Sequence, residues 1–167
     1  MRTKEGITKE DLTEQRDWAG LYRSTGLRLW RAIYAYSGGQ RSVADDAVAE
    51  AFARAIQHDE NIRRPESWLF RTAFRIAAAD LREQRSRDDV TMAATSDDID
   101  NDLAGVMAAL RGLSANQRAA VYLFYVTDLP IKEVAQAMDT SAAAVKVHLH
   151  RGRNRLRELL SEENDDA

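Results

Sequence analysis

The sequence PIKEVAQAMDTSAAAVKVHLHRGRNRLRELL at residues 130–160 decides the fold of the C-terminal part of the chain. It predicts a short helix from Ile131 to Met138, a three-residue turn, and a longer helix that begins at Ala142. Ser141 is a suitable N-cap for the longer helix, because its hydroxyl can accept a hydrogen bond from a backbone N–H of the first turn. Apolar residues recur where two helices would pack across the turn, at Ala135, Met138, Val145 and Leu149. This pattern is typical of a helix-turn-helix, whose second helix enters the major groove of DNA.

The longer helix then presents one outward face, which consists of Ala143, Lys146, Val147, His150, Arg151 and Arg153. An α-hairpin that only packs, with its arginines solvated, is an alternative interpretation of the same segment. A metal site at His148 and His150 is disfavoured, because side chains two residues apart on a helix point about 200° away from each other.

Upstream residues predict more helices. An apolar stripe over residues 18–36 predicts a first helix that Gly38-Gly39 ends. A capping box at Ser42-Val-Ala-Asp45 predicts the start of a second, with a buried stripe at Val48, Ala51, Phe52, Ala55 and Ile56. Pro65 fits the first turn of a third helix. Another capping box, Ser114-Ala-Asn-Gln117, begins the helix that precedes the helix-turn-helix.

Composition narrows the class of protein. The chain has 167 residues, of which 44% are hydrophobic and 31% charged, with eight Gly, two Pro and no Cys. The lack of cysteine excludes disulfides, thiolate zinc sites and a cysteine nucleophile. No apolar run approaches the roughly 20 residues of a membrane span, and no nucleophile–base pair is visible. We therefore expect an all-α, cytoplasmic protein without membrane insertion, cofactor or metal, which is not an enzyme.

Charge is segregated along the chain, although the net charge is only −3. Residues 61–87 carry seven Arg against three acids, and residues 131–157 carry six basic residues against two acids. Residues 88–102 hold six Asp and no basic residue, and residues 158–167 hold five acids. The stretch 86–102 also lacks periodicity and predicts an acidic, flexible linker between two small helical domains. Phosphates respond to local charge, so the two basic segments are candidate nucleic-acid surfaces, although solvated helix faces would give the same pattern.

Residues 110–160 resemble the C-terminal domain of bacterial extracytoplasmic-function (ECF) sigma factors. The family pattern is L-x-x-L-[PS]-x-x-x-R, then EIA or EVA, then a recognition helix of the type T-V-[KR]-S-R-[LI]-x-R-A-R. ADDAVAEAF at 44–52 is similar to the family's AEDLVQETF, and the segments WLFRTA at 68–73 and DLR at 80–82 resemble its W-L-Y-R-I-A…D-x-L-R helix. Both matches occur in family order on either side of the linker. Departures such as Ala49 for Gln and Arg75 for Asn concern promoter specificity.

The resemblance implies three segments. Residues 10–85 would bind core RNA polymerase and the −10 promoter element, residues 86–103 would be the linker, and residues 104–160 would read the −35 element as duplex. Polymerase contacts would come from Asp45, Asp46 and Glu50. Contacts to the −10 element would come from Asn61, Arg63, Arg64, Arg71, Arg75 and Arg82. In the −35 complex Lys146 and His150 would meet base edges, Ala143 and Val147 would lie against the bases, and the phosphate contacts would be Arg118, His148, Arg151 and Arg153.

The implied partners are the clamp and flap regions of core polymerase, promoter DNA and an anti-sigma factor, with the chain monomeric on core. An extended linker of 17 steps spans roughly 58 Å, which equals about 17 base pairs of B-DNA. Two other functions stay open on the residues alone. One is an autonomous helix-turn-helix transcription regulator, and the other is a helical interaction module without DNA contact.

Overall fold

The computed structural model describes residues 16–86 and 107–165, and within these ranges it contains helices and connecting turns but no strand. The longer elements are α1 (Trp18–Tyr36), α2 (Arg41–Gln57), α3 (Pro65–Ser86), α4 (Ala115–Val121), α5 (Ile131–Ala137) and α6 (Ala142–Asp165). A 3₁₀ turn at Asp59–Asn61 precedes α3, and a π-helical turn at Tyr122–Val126 follows α4. The all-α class is confirmed. The predicted linker lies outside the described residues, apart from Ser86.

Helices α1 to α3 pack into one bundle. Its interior is formed by side chains that α1, α2 and α3 turn toward one another, among them Leu29, Ile33, Val43 and Leu69, none more than 1% exposed. The predicted stripe of α2 is buried except for Ile56, which is 57% exposed. That part of the prediction was wrong, since Ile56 lies in the last turn of α2, where the chain leaves the bundle.

The start of α2 differs from the prediction. The N-cap is Gln40, whose side chain makes no cap hydrogen bond, and the capping box at Ser42 is absent. The carboxylate of Asp45 instead accepts a hydrogen bond from the indole N–H of Trp30 at 2.6 Å. Because α2 already begins at Arg41, Ser42 lies inside the helix and cannot act as its N-cap.

The C-terminal half has the predicted local structure. The capping box of α4 is present, with Ser114 and Gln117 each bonded to the other's backbone N–H. Helices α5 and α6 form the helix-turn-helix, and the Ser141 hydroxyl accepts a hydrogen bond from the Ala144 N–H at 3.1 Å. Asp139 adopts a left-handed conformation in the turn, with φ of 52°. The predicted helix-turn-helix and its N-cap are confirmed.

The two halves of the molecule contact each other. Helix α4 packs on α1, and α5 packs on α3. Polar contacts accompany this packing at two places, around Arg118 of α4 and between Arg75 of α3 and Asp139. The sequence patterns did not predict these contacts.

Candidate nucleic-acid interface

One face of α6 is exposed along its first three turns. Its members are Ala143, Lys146, Val147, His150, Arg151 and Arg153, all of which are exposed. Val145 and Leu149 lie on the opposite face and are at most 5% exposed. The buried stripe orients the helix, so the predicted DNA-facing residues share the side that is turned to solvent. His148 is half-buried at the edge of that stripe.

Two side chains that the sequence did not single out touch this face. The Asn154 amide lies 3.2 Å from the His150 Nε2, and Arg153 donates to the Tyr125 hydroxyl at 3.3 Å. Tyr125 belongs to the π-helical turn after α4. Such turns occur often at functional sites, so this turn marks Tyr125 as a candidate functional residue.

A second basic surface lies at the loop before α3. Asn61, Arg63, Arg64 and Arg71 line a cavity of about 400 Å³ together with Ile62, Ser67, Trp68 and Gln136. Trp68 is half-buried, so its indole both packs on the core and lines this cavity. Guanidinium groups around an indole suit a nucleotide, because a base can stack on the ring while its phosphate meets the cations.

Arg75 and Arg82 lie apart from that cavity. They line a neighbouring one of about 280 Å³ together with Tyr36, Phe74 and Asp139. The six residues predicted for the −10 element are therefore divided between two adjacent cavities.

Contacts on the core side of the loop hold the loop that carries these cations in place. Ile62 is 4% exposed and anchors the loop in the core. Arg16 donates to the Ile62 carbonyl and to the Asp59 carboxylate, each at 2.8 Å. Arg16 precedes α1 and was missed by sequence reasoning, since its partners are more than 40 positions away. These bonds hold Arg63 and Arg64 outward.

The predicted polymerase-binding acids lie exposed on α2. Asp45 is engaged by Trp30, and the Glu50 carboxylate accepts from Arg54 at 2.6 Å. No ion pair is found for Asp46 with any described residue. The acidic surface is thus exposed, with Asp46 as its least neutralised member.

Arg118 is the predicted DNA contact that the structure places elsewhere. Its guanidinium donates to the carbonyls of Leu113 at 2.7 Å, Ala35 at 3.1 Å and Tyr36 at 3.2 Å. Burial lowers the pKa of Arg118, whereas burial raises the pKa of Tyr36. In this arrangement the guanidinium joins α4 to the end of α1 and is not available to a phosphate.

The described ranges lack two other kinds of site. There, no group of three or more His, Asp or Glu side chains is placed to hold a metal ion. None of the helices within 16–86 and 107–165 is long and apolar enough to cross a membrane.

Sequence comparison connects this geometry to known proteins. Residues 103–156 match the family described as Sigma-70, region 4. The ECF RNA polymerase sigma factor SigE of Mycolicibacterium smegmatis is 27% identical over 168 residues, covering 90% of this chain and 64% of SigE. The RNA polymerase sigma-E factor of Streptomyces antibioticus is 31% identical over 139 residues, covering 83% of this chain and 72% of that protein. The chain thus spans slightly less than two thirds of SigE.

Comparison with solved structures shows that the fold of this chain is similar to that of known proteins. CnrH in complex with the cytosolic domain of CnrY matches with a TM-score of 0.64 and 25% identity, over 89% of this chain and 90% of the matched chain. The sigma factor RpoE in complex with the anti-sigma factor NepR, from Bartonella quintana, has a TM-score of 0.64 at 23% identity and covers 85% of this chain.

Proposed function

Since this chain belongs to the ECF sigma factors of the sigma-70 family, we propose that it binds core RNA polymerase and directs it to specific promoters. The helix-turn-helix segment, residues 104–160, reads the −35 element as duplex. Residues 10–85 bind core polymerase and open and read the −10 element, and residues 86–103 join the two. The observation that carries this proposal is the exposed basic face of α6 opposite its buried stripe. The protein acts in the cytoplasm, where core polymerase is found.

At the −35 element, α6 lies in the major groove. Lys146 and His150 contact base edges, Val147 meets a thymine methyl, and Ala143 lets the helix approach the bases. His148, Arg151 and Arg153 contact phosphates. Arg118 is bound to backbone carbonyls between the halves in this structure, so it would contact a phosphate only after the halves separate.

Substitutions on α6 test this assignment. Lys146→Ala and His150→Ala should change the preference among −35 sequences, because a base-edge contact supplies about 1–3 kcal/mol of discrimination. Arg153→Ala should weaken binding to all sequences alike, because a phosphate contact carries no sequence information. The measurement is holoenzyme binding to promoters that differ only in the −35 element.

Arg155→Ala is the matched control for that experiment. Arg155 is exposed on the same helix and pairs with Glu158 at 3.0 Å, but it lies about 140° around the helix from His150. Its loss should leave the preference among −35 sequences unchanged and should lower affinity less than Arg153→Ala, because Glu158 already pairs with its guanidinium. If all four substitutions reduced affinity uniformly, the proposed face would be wrong.

At the −10 element, the loop and α3 act on the melted strand. Asn61, Arg63, Arg64 and Arg71 surround the cavity that would receive a base, and Arg75 and Arg82 continue the cationic surface along α3. An extruded base is held by stacking and by hydrogen bonds to its edge, which the indole of Trp68 and the Asn61 amide can supply.

The acids of α2 contact basic residues of the polymerase clamp. Reversing two of them with Asp46→Arg and Glu50→Arg should lower the affinity for core polymerase at least tenfold, because like charges brought together at an interface cost several kcal/mol. Pull-down with purified core measures the loss, and circular dichroism checks the fold. Arg54→Ala breaks the same Glu50 ion pair without reversing the acidic charge, so it should bind core normally. Equal binding by all three proteins would contradict the clamp assignment.

An anti-sigma factor is a further partner in this proposal. The RpoE structure is a complex with the anti-sigma factor NepR, and its fold is similar to that of this chain. An autonomous helix-turn-helix regulator is not favoured, because the matched relatives are named RNA polymerase sigma factors.

A further inference from the structure

We propose that Asn154 and Arg157 determine how His150 reads the −35 element, because they keep the proton of its neutral imidazole on Nδ1. His150 then acts as a hydrogen-bond donor and selects a base that has an acceptor in the major groove. This inference rests on the proposed function of α6 as the helix that reads the −35 element. It adds two positioning residues and the polarity of one base contact.

The three side chains lie in one row along α6. The row continues the outward face at spacings of four and three residues, through Ala143, Val147, His150, Asn154 and Arg157. Side chains at these spacings lie on the same side of a helix and can contact one another. His150, Asn154 and Arg157 are all exposed, so the row leads without a break from the proposed base contacts toward the C-terminal part of α6.

Arg157 fixes the orientation of the neighbouring amide. Its Nη1 donates to the Asn154 Oδ1 at 3.1 Å. A guanidinium has donors and no acceptor, so the amide must turn its oxygen toward it. The opposite orientation would place two donors against each other. The NH₂ group of Asn154 is therefore the part of the amide that is left to face His150.

The amide in turn fixes the protonation of the imidazole. The Asn154 Nδ2 lies 3.2 Å from the His150 Nε2. Since the amide nitrogen only donates, the His150 Nε2 must accept and carries no proton. In a neutral imidazole the proton is then on Nδ1. An imidazolium would put its own N–H against the amide N–H, so this arrangement selects one neutral tautomer.

His148 shows that such a row is specific to His150. The residue four positions after His148 is Gly152, which has no side chain that could contact the ring. His148 is also half-buried at the edge of the stripe that faces the core. The two histidines of α6 thus differ in their surroundings, and only His150 has an amide at the following turn.

A donor at Nδ1 distinguishes among bases. In the major groove guanine offers O6 and N7 and thymine offers O4 as acceptors, whereas cytosine offers an N4 amino donor. The His150 Nδ1–H can bond to the first two, but against cytosine it would meet another donor. A buried donor without a partner loses its hydration and gains nothing in return. We therefore expect guanine or thymine to be preferred over cytosine at the base that His150 contacts.

NMR spectroscopy of the full chain tests the tautomer without DNA. Long-range ¹H–¹⁵N spectra in mildly alkaline buffer distinguish protonated from unprotonated ring nitrogens, and His58 and His148 serve as references in the same spectrum. His150 should carry its proton on Nδ1. Asn154→Ala should lower the ratio of the Nδ1–H to the Nε2–H form about two- to tenfold, the factor that one hydrogen bond supplies. Asn154→Asp should move the proton to Nε2, because a carboxylate only accepts.

Arg157→Lys and Arg157→Ala form a matched pair in the same spectra. An ammonium also only donates, so Arg157→Lys should keep the amide orientation and the Nδ1–H form. Arg157→Ala frees the amide to rotate and should lower the ratio. If the parent carried its proton on Nε2, or if Asn154→Ala left the ratio unchanged, this inference would be overturned and the proposed function would stand.

Holoenzyme binding to promoters that differ at single −35 positions tests the base contact. The position at which His150→Ala changes the preference identifies the contacted base. There the parent should favour guanine or thymine over cytosine, and Asn154→Ala should reduce this preference about two- to tenfold. Asn154→Asp should reverse it toward cytosine. The added charge of the aspartate repels the phosphates of every promoter alike and cancels from the ratio.

The outcomes separate this inference from the proposed function. If His150→Ala changes the preference but both Asn154 variants keep that of the parent, the positioning role is overturned and the −35 assignment stands. If His150→Ala changes no preference, the base contact itself is overturned, and this inference fails with it.

Discussion

Core polymerase is expected to tighten promoter binding by this chain about 100- to 10,000-fold, from weak and salt-sensitive to sequence-specific. The free chain should bind duplex poorly at about 0.15 M salt. Affinity for duplex grows with the number of phosphates neutralised, and residues 131–157 carry only six basic residues against two acids. The five acids of residues 158–167 follow directly, and their negative charge repels the DNA phosphates over a few Debye lengths.

Linkage of two weak DNA-binding domains helps only when their spacing matches the two promoter elements. In this structure the two halves pack together, with Asp139 of one bonded to Arg75 of the other, and this packing does not match two separated promoter elements. Core polymerase would hold the separated halves at the right distance and stabilise the opened strand. With polymerase present, changes in either promoter element should be costly.

Fluorescence anisotropy of labelled promoter duplex, with and without core, measures the difference. The variant carrying Asp46→Arg and Glu50→Arg is the control, because it should gain little from added core. Tight and specific binding by the isolated chain at about 0.15 M salt would instead favour an autonomous regulator.

Sequence patterns predicted the local structure around the candidate DNA surface because that structure depends on neighbours along the chain. The N-cap at Ser141 and the exposed face of α6 follow from spacing within a few turns, and both were found. The capping box predicted at Ser42 was wrong, because α2 begins at Arg41 and places Ser42 inside the helix, while the Asp45 carboxylate accepts from Trp30, 15 positions away. A capping pattern therefore predicts that a helix starts nearby but not the residue at which it starts.

Contacts between the halves could not be read from periodicity at all. Arg75 and Asp139 are 64 positions apart, and Arg118 is 83 positions from Ala35. Nothing in the neighbouring sequence of these residues distinguishes them from ordinary exposed polar residues. Arg118 also matched a family position for which a phosphate contact was expected. Only the packing of α4 on α1 shows that its guanidinium has backbone acceptors instead.

Arg118→Ala is accordingly expected to be among the most destabilising single substitutions at a polar site of this protein. It removes three hydrogen bonds from a charged donor and leaves the carbonyls of Ala35, Tyr36 and Leu113 without that partner. A hydrogen bond to a charged group contributes about 1.5–3 kcal/mol, but these three share one group and water can reach part of the site. We therefore expect a loss of about 2–4 kcal/mol in the free energy of unfolding.

Urea denaturation of the full chain, followed by circular dichroism, measures that loss against Arg111→Ala. Arg111 is exposed and precedes α4, so its removal changes the net charge equally and should cost less than about 0.5 kcal/mol. Arg118→Lys should fall between the two, because an ammonium keeps the charge but cannot reproduce the planar fork that reaches the end of α1 and the loop before α4 at once. If Arg118→Ala unfolded at the same urea concentration as Arg111→Ala, the guanidinium would not join the halves. Its expected role as a phosphate contact would then return, since a side chain without structural cost is free to turn toward DNA.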